Sequence, residues 1–326
     1  MKEWSMVMKI RYLFLILCLF FSEKIAQAKT VTGEKIAQLD QVPGLTRDDN
    51  RAKAIYLIST PRSCSTAFLR MMHTRGDFVI INEPGVQPYY RFYKSSGAKF
   101  LKAFQEVKNK ILQKLGNYQK NVFVKEMGYS ACKYLSPESD FLKKQNYYTV
   151  FLVRNPHHAL VSNYKKWPNI VGILDDIMGY RQLYELFKKF QQKASNVPII
   201  ILAEELTVDS HKVVSQFCQH VGIPFKEESL SWQKMDENFP FEYEWNCHVP
   251  TPTQDASNWF DKAMVSNGFK DEHLTKYAVD EHGQPTFEEI KNVKHREFYK
   301  KLYVDNMPYY KLFLEEYYKY KQAKSC

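Results

Sequence analysis

A short segment rich in hydroxyl groups lies between an apolar run and an amphipathic one. Residues 60–66 read TPRSCST and follow the apolar run AIYLI at 54–58. Such a run is typical of a buried parallel strand, and the apolar spacing after Thr66 predicts a helix. The first turn of a helix carries N–H groups without intrahelical partners and a partial positive charge, to which an arginine adds a forked cation. We therefore predict an anion-binding loop, formed by Arg62, Ser63, Cys64, Ser65 and Thr66.

This loop differs from the P-loop of kinases and ATPases. That motif reads G-x-x-x-x-G-K-[ST], whereas here no glycine lies between Gly44 and Gly76, and no lysine lies between Lys53 and Lys94. Ordinary hydrolysis of nucleoside triphosphates is therefore not expected.

A second segment has the same strand–turn–helix form. Residues 149–164 read TVFLVRNPHHALVSNY, in which Asn155 and Pro156 turn the chain between a strand and a helix. Arg154 ends the predicted strand and Ser162 lies on the predicted helix. An arginine can bind a phosphate through two N–H groups and a serine hydroxyl adds a further donor, so this segment predicts a second phosphate site.

Carboxylates follow two other predicted strands. Glu83 comes after the strand at 78–81, and Glu126 follows Lys125 at the end of the strand at 121–125. A carboxylate near a transferred group can take the proton of an attacking hydroxyl. Two structural roles remain open: Glu83 can be a loop carboxylate or the partner of a helix N-terminus, and Lys125 can form a structural ion pair with Glu126.

The two phosphate segments, in this order, resemble the sulfotransferases that use 3′-phosphoadenosine 5′-phosphosulfate (PAPS). The resemblance implies that residues 62–66 hold the 5′-phosphosulfate and that Arg154 and Ser162 hold the 3′-phosphate. PAPS would be the co-substrate and 3′-phosphoadenosine 5′-phosphate (PAP) the product. The acceptor would be a hydroxyl of a carbohydrate, a tyrosyl residue or a small molecule, attacking in line, and no metal is expected.

Further segments extend the resemblance over most of residues 50–270. PRSCSTAFLRMMHTRGDFVIINE (61–83) resembles tyrosylprotein sulfotransferases, which implies that Glu83 is the catalytic base, with Arg62 and Glu126 as further catalytic candidates. NVFVKEMGYS (121–130), PIIILAEELTVD (198–209) and VGIPFKEESLSW (221–232) resemble bacterial, fungal and plant sulfotransferase-like proteins. The R-K-G-x-x-G-D-W closing motif of cytosolic sulfotransferases is missing, and residues 256–269 can stand in for it.

Two alternatives remain from other classes. One is a protein that binds PAP or another nucleotide without transferring anything. The other is a cysteine-dependent phosphatase, because Cys64 and Arg70 have the Cys-x5-Arg spacing in which a thiolate attacks phosphorus. The apolar residues 67–69 disfavour the phosphatase, since they predict a helix that turns Arg70 away from Cys64.

The rest of the chain predicts one exported α/β domain. Residues 1–28 have the form of a secretory signal peptide, with a type II membrane anchor as the alternative, and 29–50 form a linker. Alternating strands and helices over 51–326 predict a three-layer sandwich around a parallel sheet, capped by C-terminal helices at about 286–322 that Pro308 divides in two. Besides the strands named above, one is predicted at 198–202, and helices are predicted at 97–115, 173–194 and 209–221.

Composition narrows the partners. The net charge of +10 suits a nucleotide with several phosphates, and no aromatic-spaced nucleic-acid motif is present, so we expect no nucleic-acid partner. The six cysteines and nine histidines show no zinc spacing or ligand cluster. The sequence leaves the oligomeric state open.

Overall fold

A computed structural model describes the chain over 52–92, 97–114, 120–143, 145–168, 174–234, 263, 265–269 and 278–325. The chain divides into one compact unit of residues 50–317 and a second of residues 1–49 with 318–326. The predicted signal peptide, the linker up to residue 50 and most of 256–269 lie outside the described residues. In the part of the chain that the structure describes, no helix is long and apolar enough to span a membrane.

A parallel sheet of five strands forms the centre of the larger unit, in the order β2-β3-β1-β4-β5. The strands are β1 (Lys53–Ser59), β2 (Val79–Asn82), β3 (Val122–Met127), β4 (Asn146–Val153) and β5 (Ile199–Leu202). The predicted α/β class with a central parallel sheet is confirmed, and each predicted strand overlaps an observed one.

Helices connect the strands and cover the sheet. They are α1 (Ser65–Thr74), α2 (Val86–Phe92), α3 (Gly97–Lys114), α4 (Gly128–Tyr134), α5 (Asp140–Lys143), α6 (Pro156–Lys166), α7 (Leu174–Met178), α8 (Tyr180–Lys193), α9 (Ala203–Val208), α10 (Ser210–Val221) and α11 (Val293–Ser325), with a 3-10 turn at Glu227–Leu230. The helix predicted over 173–194 is two helices, because Gly179 between them adopts a left-handed conformation with φ 52°.

Aromatic side chains pack helices onto both faces of the sheet. On one face the Phe68 ring of α1 lies 6.0 Å from Phe123 of β3 and 5.1 Å from Phe217 of α10. On the other face Phe151 of β4 lies 5.3 Å from Phe187 of α8 and contacts α11. β1 is buried along its whole length. These contacts give the predicted three layers, and they explain why β1 reads as a continuous apolar run.

The prediction that Pro308 divides the C-terminal segment into two helices is wrong. α11 continues through Pro308. A proline inside a helix leaves the carbonyl four residues earlier without its N–H donor, and here that carbonyl belongs to Val304, a residue that is 64% exposed. Leu302 before the proline and Tyr310 after it are both buried, so packing holds the helix together on both sides.

The register brings the carboxyl ends of the strands to one edge of the sheet. Ser59 of β1 is paired with Met127 of β3 and with Leu152 of β4, and Asn82 of β2 is paired with Lys125. The segments that follow β1 to β4 therefore begin at the same edge, which is where open parallel sheets bind ligands.

Candidate functional site

The predicted anion loop leaves the centre of this edge. The Thr60 N–H donates to the Leu152 carbonyl of β4 at 3.1 Å, and the Ser63 hydroxyl donates to the Thr60 carbonyl at 2.7 Å. Arg62 and Cys64 have φ of 60° and 67°, a left-handed conformation that non-glycine residues rarely adopt. Cys64 is the residue immediately before α1. Strained backbone of this kind concentrates at functional sites, and here it forms a tight loop without glycine.

Arg154 lies directly beneath that loop, at the end of β4. Arg154 is 2% exposed, and its Nη1 donates to the Arg62 carbonyl at 2.8 Å. The backbone carbonyl of Arg154 accepts a hydrogen bond from the Tyr180 hydroxyl at 2.6 Å. Its buried Nη2 has no hydrogen-bond partner among the described residues. A buried cationic donor without a partner is costly, so this nitrogen marks a position suited to an anion.

The two predicted phosphate segments meet in space. The Arg62 Nε donates to the Ser162 hydroxyl of α6 at 3.2 Å, and the Arg62 guanidinium lies 5.5 Å from the centre of the Trp167 ring. The contact follows from the pairing of β1 with β4, which places the start of α6 beside the loop. Arg62, Arg154 and Ser162 therefore form one cluster of donors.

Glu204 belongs to the same region, although no sequence motif predicted it. This residue follows β5, and its Oε1 accepts the Asn155 N–H at 2.8 Å. Burial acts to raise the pKa of Glu204, but the His158 ring 3.6 Å away, the Asn155 N–H and the charge of Arg154 outweigh it, and the net pKa is lowered. Glu204 could have been proposed from its position directly after a predicted strand, within the segment 198–209 that resembles sulfotransferase-like proteins.

Cys64 and Arg70 do not form a phosphatase site. Burial raises the pKa of the Cys64 thiol, although the charges of Arg154 and Arg62 oppose that rise. The Arg70 guanidinium instead donates to backbone carbonyls of residues 233, 263 and 266 and lies 5.5 Å from the Trp232 ring. A cysteine nucleophile needs a lowered thiol pKa and its arginine beside the bound phosphate, and neither condition is met.

Glu83 and Lys125 form a buried ion pair on the other side of the loop. Glu83 follows β2 with φ 50°, its N–H donates to the Lys125 carbonyl at 2.7 Å, and its Oε1 accepts from the Lys125 Nζ. The side chains are 13% and 2% exposed respectively. The ion pair that the sequence offered between Lys125 and Glu126 thus forms with Glu83.

Tyrosine rings lie next to this pair. The Tyr129 ring is 4.8 Å from Tyr89 and 6.0 Å from Tyr90. The pKa of Tyr90 is raised to about 12, mainly by burial, and a hydrogen bond with Tyr129 partly opposes the rise. The charge of Glu83 also raises this pKa, so Tyr90 lies within electrostatic range of that carboxylate. Their hydroxyls stay protonated at neutral pH and can donate hydrogen bonds.

Glu126 is placed differently from Glu83. It is fully buried and its carboxylate accepts hydrogen bonds from the Met127 and Gly85 N–H groups and from the hydroxyls of Ser130 and Tyr134. Burial raises the pKa of Glu126 to about 7, although all four donors oppose the rise. Its predicted catalytic role remains a prediction, and its contacts are those of a buried structural carboxylate.

The sheet order arranges these groups in a line across the edge. The Glu83–Lys125 pair lies at β2 and β3, the predicted anion loop follows β1, and Arg154 follows β4. Among the residues that the structure describes, no group of three or more histidine, cysteine, aspartate or glutamate residues is able to hold a metal. The arrangement offers a carboxylate and an ammonium on one side of the predicted anion loop and a buried arginine on the other.

No family model and no curated protein matches the chain. Similar solved structures include the sulfotransferase domain from the curacin biosynthetic pathway, at 15% identity and TM-score 0.41, over 79% of this chain and 98% of that one. Mouse sulfotransferase SULT7A1 complexed with PAP aligns at 14% identity and TM-score 0.34, over 54% and 60%. A shikimate kinase from Bacteroides thetaiotaomicron aligns at 19% identity and TM-score 0.34, over 53% and 99%. The chain is similar to sulfotransferase domains and to this kinase, and at such identities its function depends on the residues of its own site.

Proposed function

We propose that this protein transfers a sulfuryl group from PAPS to a hydroxyl acceptor. One observation carries the proposal: the Glu83–Lys125 pair, the loop and the partly unpartnered Arg154 lie along one edge of the sheet, in that spatial order. A doubly phosphorylated nucleotide and an acceptor would then bind on opposite sides of the transferred group.

The binding roles follow from the donors. Arg62, Ser63, Cys64, Ser65 and Thr66 would hold the 5′-phosphosulfate, with backbone N–H groups and hydroxyls at the start of α1. Arg154 and Ser162 would hold the 3′-phosphate, where Nη2 of Arg154 gains the acceptor it lacks among the described residues. Arg62 links the two proposed phosphate sites, because its Nε donates to the Ser162 hydroxyl and its carbonyl accepts from Arg154.

The chemistry needs a base and positive charge. Glu83 would take the proton of the acceptor hydroxyl as its oxygen attacks sulfur, while the bond between sulfur and the phosphate oxygen breaks and PAP leaves. Lys125 and Arg62 would stabilise the negative charge on the sulfuryl oxygens and on the departing phosphate. Positioning and electrostatics would supply most of the rate enhancement, without a covalent enzyme intermediate.

A PAP-binding protein without transferase activity is the second candidate. The observation that favours it is the close contact between Glu83 and Lys125, because an ion pair that is mostly withdrawn from water can be purely structural. The two candidates make the same prediction for nucleotide binding and opposite predictions for transfer.

Thermal unfolding with PAP, ADP and ATP tests the shared part. At equal ligand concentrations PAP should stabilise the protein more than ADP or ATP. At 100 times its dissociation constant, PAP should add about 2.7 kcal/mol to the free energy of unfolding. Transfer is then measured with 35S-labelled PAPS and a panel of phenols, sugars and tyrosyl peptides. No stabilisation by PAP would contradict both candidates, whereas stabilisation without transfer to any acceptor would favour the second.

A further inference from the structure

Glu126 connects two segments that follow neighbouring strands. Its Oε2 accepts the Gly85 N–H of the segment after β2 at 2.6 Å and the Tyr134 hydroxyl at 2.8 Å. Its Oε1 accepts the Met127 N–H at 2.8 Å and the Ser130 hydroxyl of α4 at 2.7 Å. The carboxylate thus joins the end of β3 and α4 to a backbone position two residues after Glu83.

This contact fixes the backbone that carries the proposed base. Glu83 has a left-handed φ of 50°, and its N–H is held by the Lys125 carbonyl at 2.7 Å. The bond from Gly85 to Glu126 holds the chain on the other side of Glu83. A side chain on Gly85 would not fit, since a Cβ there would lie 2.7 Å from both Glu126 Oε2 and Tyr134 Cε1.

We propose that Glu126 is a positioning residue that holds Glu83 in register with Lys125, and not the base itself. Both its oxygens are occupied by donors within a fully buried site. It acts through the Gly85 N–H on the segment that presents Glu83. The inference rests on the proposed function only for its effect on turnover.

Glutamine cannot reproduce this contact in either orientation. Each carboxylate oxygen accepts from a backbone N–H, one from Met127 and one from Gly85, and backbone groups cannot rotate to become acceptors. The amide nitrogen of a glutamine has no lone pair to offer, so one N–H group must face another. A protonated glutamate keeps a lone pair on each oxygen, which distinguishes E126Q from simple protonation.

The test compares E126Q with the double variant S130A/Y134F, which removes both hydroxyl donors and keeps both backbone contacts. For E126Q we expect kcat to fall about 10-fold to 100-fold, because a small misplacement of a reacting group lowers the rate by this order. PAP affinity should stay within about 2-fold of wild type. Hydrogen exchange of the Gly85 amide should accelerate at least about 10-fold. The double variant should keep kcat and Gly85 exchange within about 3-fold of wild type, since backbone contacts remain.

Distinct outcomes overturn the two proposals. Wild-type kcat and Gly85 exchange in E126Q would refute the positioning role, and an equal loss of PAP affinity and kcat would show a general structural role instead. If E126Q does not fold, faster Gly85 exchange in S130A/Y134F would contradict the inference and protected exchange would support it. If wild-type protein binds PAP and transfers nothing, the proposed function fails, while Gly85 exchange still decides whether Glu126 fixes this backbone.

Discussion

Arg154 carries the clearest residue-level expectation for ligand binding. It is buried, contacts the loop through the Arg62 carbonyl and has an Nη2 without a partner among the described residues. Arg154→Ala should therefore weaken the binding of PAP strongly, by on the order of 2–5 kcal/mol, since it removes one partner of a buried charge-assisted contact.

The matched ligand is adenosine 5′-phosphosulfate, which lacks the 3′-phosphate. Calorimetry on wild type and Arg154→Ala should show a much smaller loss for this ligand than for PAP. Equal losses for the two ligands would place Arg154 outside the 3′-phosphate site.

Glu83 is the residue whose chemistry can be isolated. Glu83→Gln keeps the shape of the side chain and removes its basicity, and loss of a general base typically lowers rates 10²–10⁴-fold. We expect turnover of labelled PAPS to fall within this range, with PAP affinity nearly unchanged, because Glu83 lies on the far side of the loop from Arg154.

The opposite pattern would relocate the base. Normal turnover in Glu83→Gln, together with complete loss in E126Q, would assign the proton transfer to Glu126. The present contacts favour Glu83, which is partly exposed and lies beside the Lys125 ammonium, over the fully buried Glu126.

At the scale of elements, local patterns predicted the strands and the loop, and long-range packing decided what they contact. The sequence places Arg62 and Arg154 each after an apolar run, so a parallel sheet was enough to bring them to one edge. The Glu83–Lys125 contact depends on β2 pairing with β3 and not with β1, and strand order has no local signal. The donors of Glu126 likewise depend on register.

The C-terminal helix α11 shows that a strong local signal can also give a wrong prediction. Proline is a strong local signal for a helix end, yet α11 continues because buried residues flank Pro308 on both sides. Tertiary packing outweighs the local preference when the lost hydrogen bond lies on an exposed face.

Pro308→Ala tests that explanation of α11. The Pro308 position is exposed, so alanine removes no buried contact and restores an N–H donor for the Val304 carbonyl. We expect the free energy of unfolding to rise by about 1–3 kcal/mol, reduced somewhat by the greater entropy of the unfolded chain. Urea unfolding measures the change, with Val304→Ala as the control on the same exposed face. A loss of stability would mean that the proline geometry itself is required for packing.

At the scale of the whole molecule, the buried Glu126 makes stability depend on pH. Burial raises the pKa of Glu126 from 4.5 to about 7. In the unfolded chain the carboxyl loses its proton near the lower value, whereas in the folded protein it keeps the proton until the higher one. Its contribution is therefore fully present below pH 4.5 and decreases as pH rises towards 7, where an ionised carboxylate is buried.

The comparison with E126Q isolates this effect, because the other titrating groups are common to both proteins. The stability of wild type relative to E126Q should be greatest below pH 4.5 and should decrease by on the order of 3 kcal/mol by pH 8. Urea unfolding of both proteins across this range measures the difference. A constant difference would show that the four hydrogen bonds hold the folded pKa of Glu126 near its ordinary value. The carboxylate would then be ionised well above pH 4.5, and its contacts with Gly85 and Met127 would be charge-assisted there.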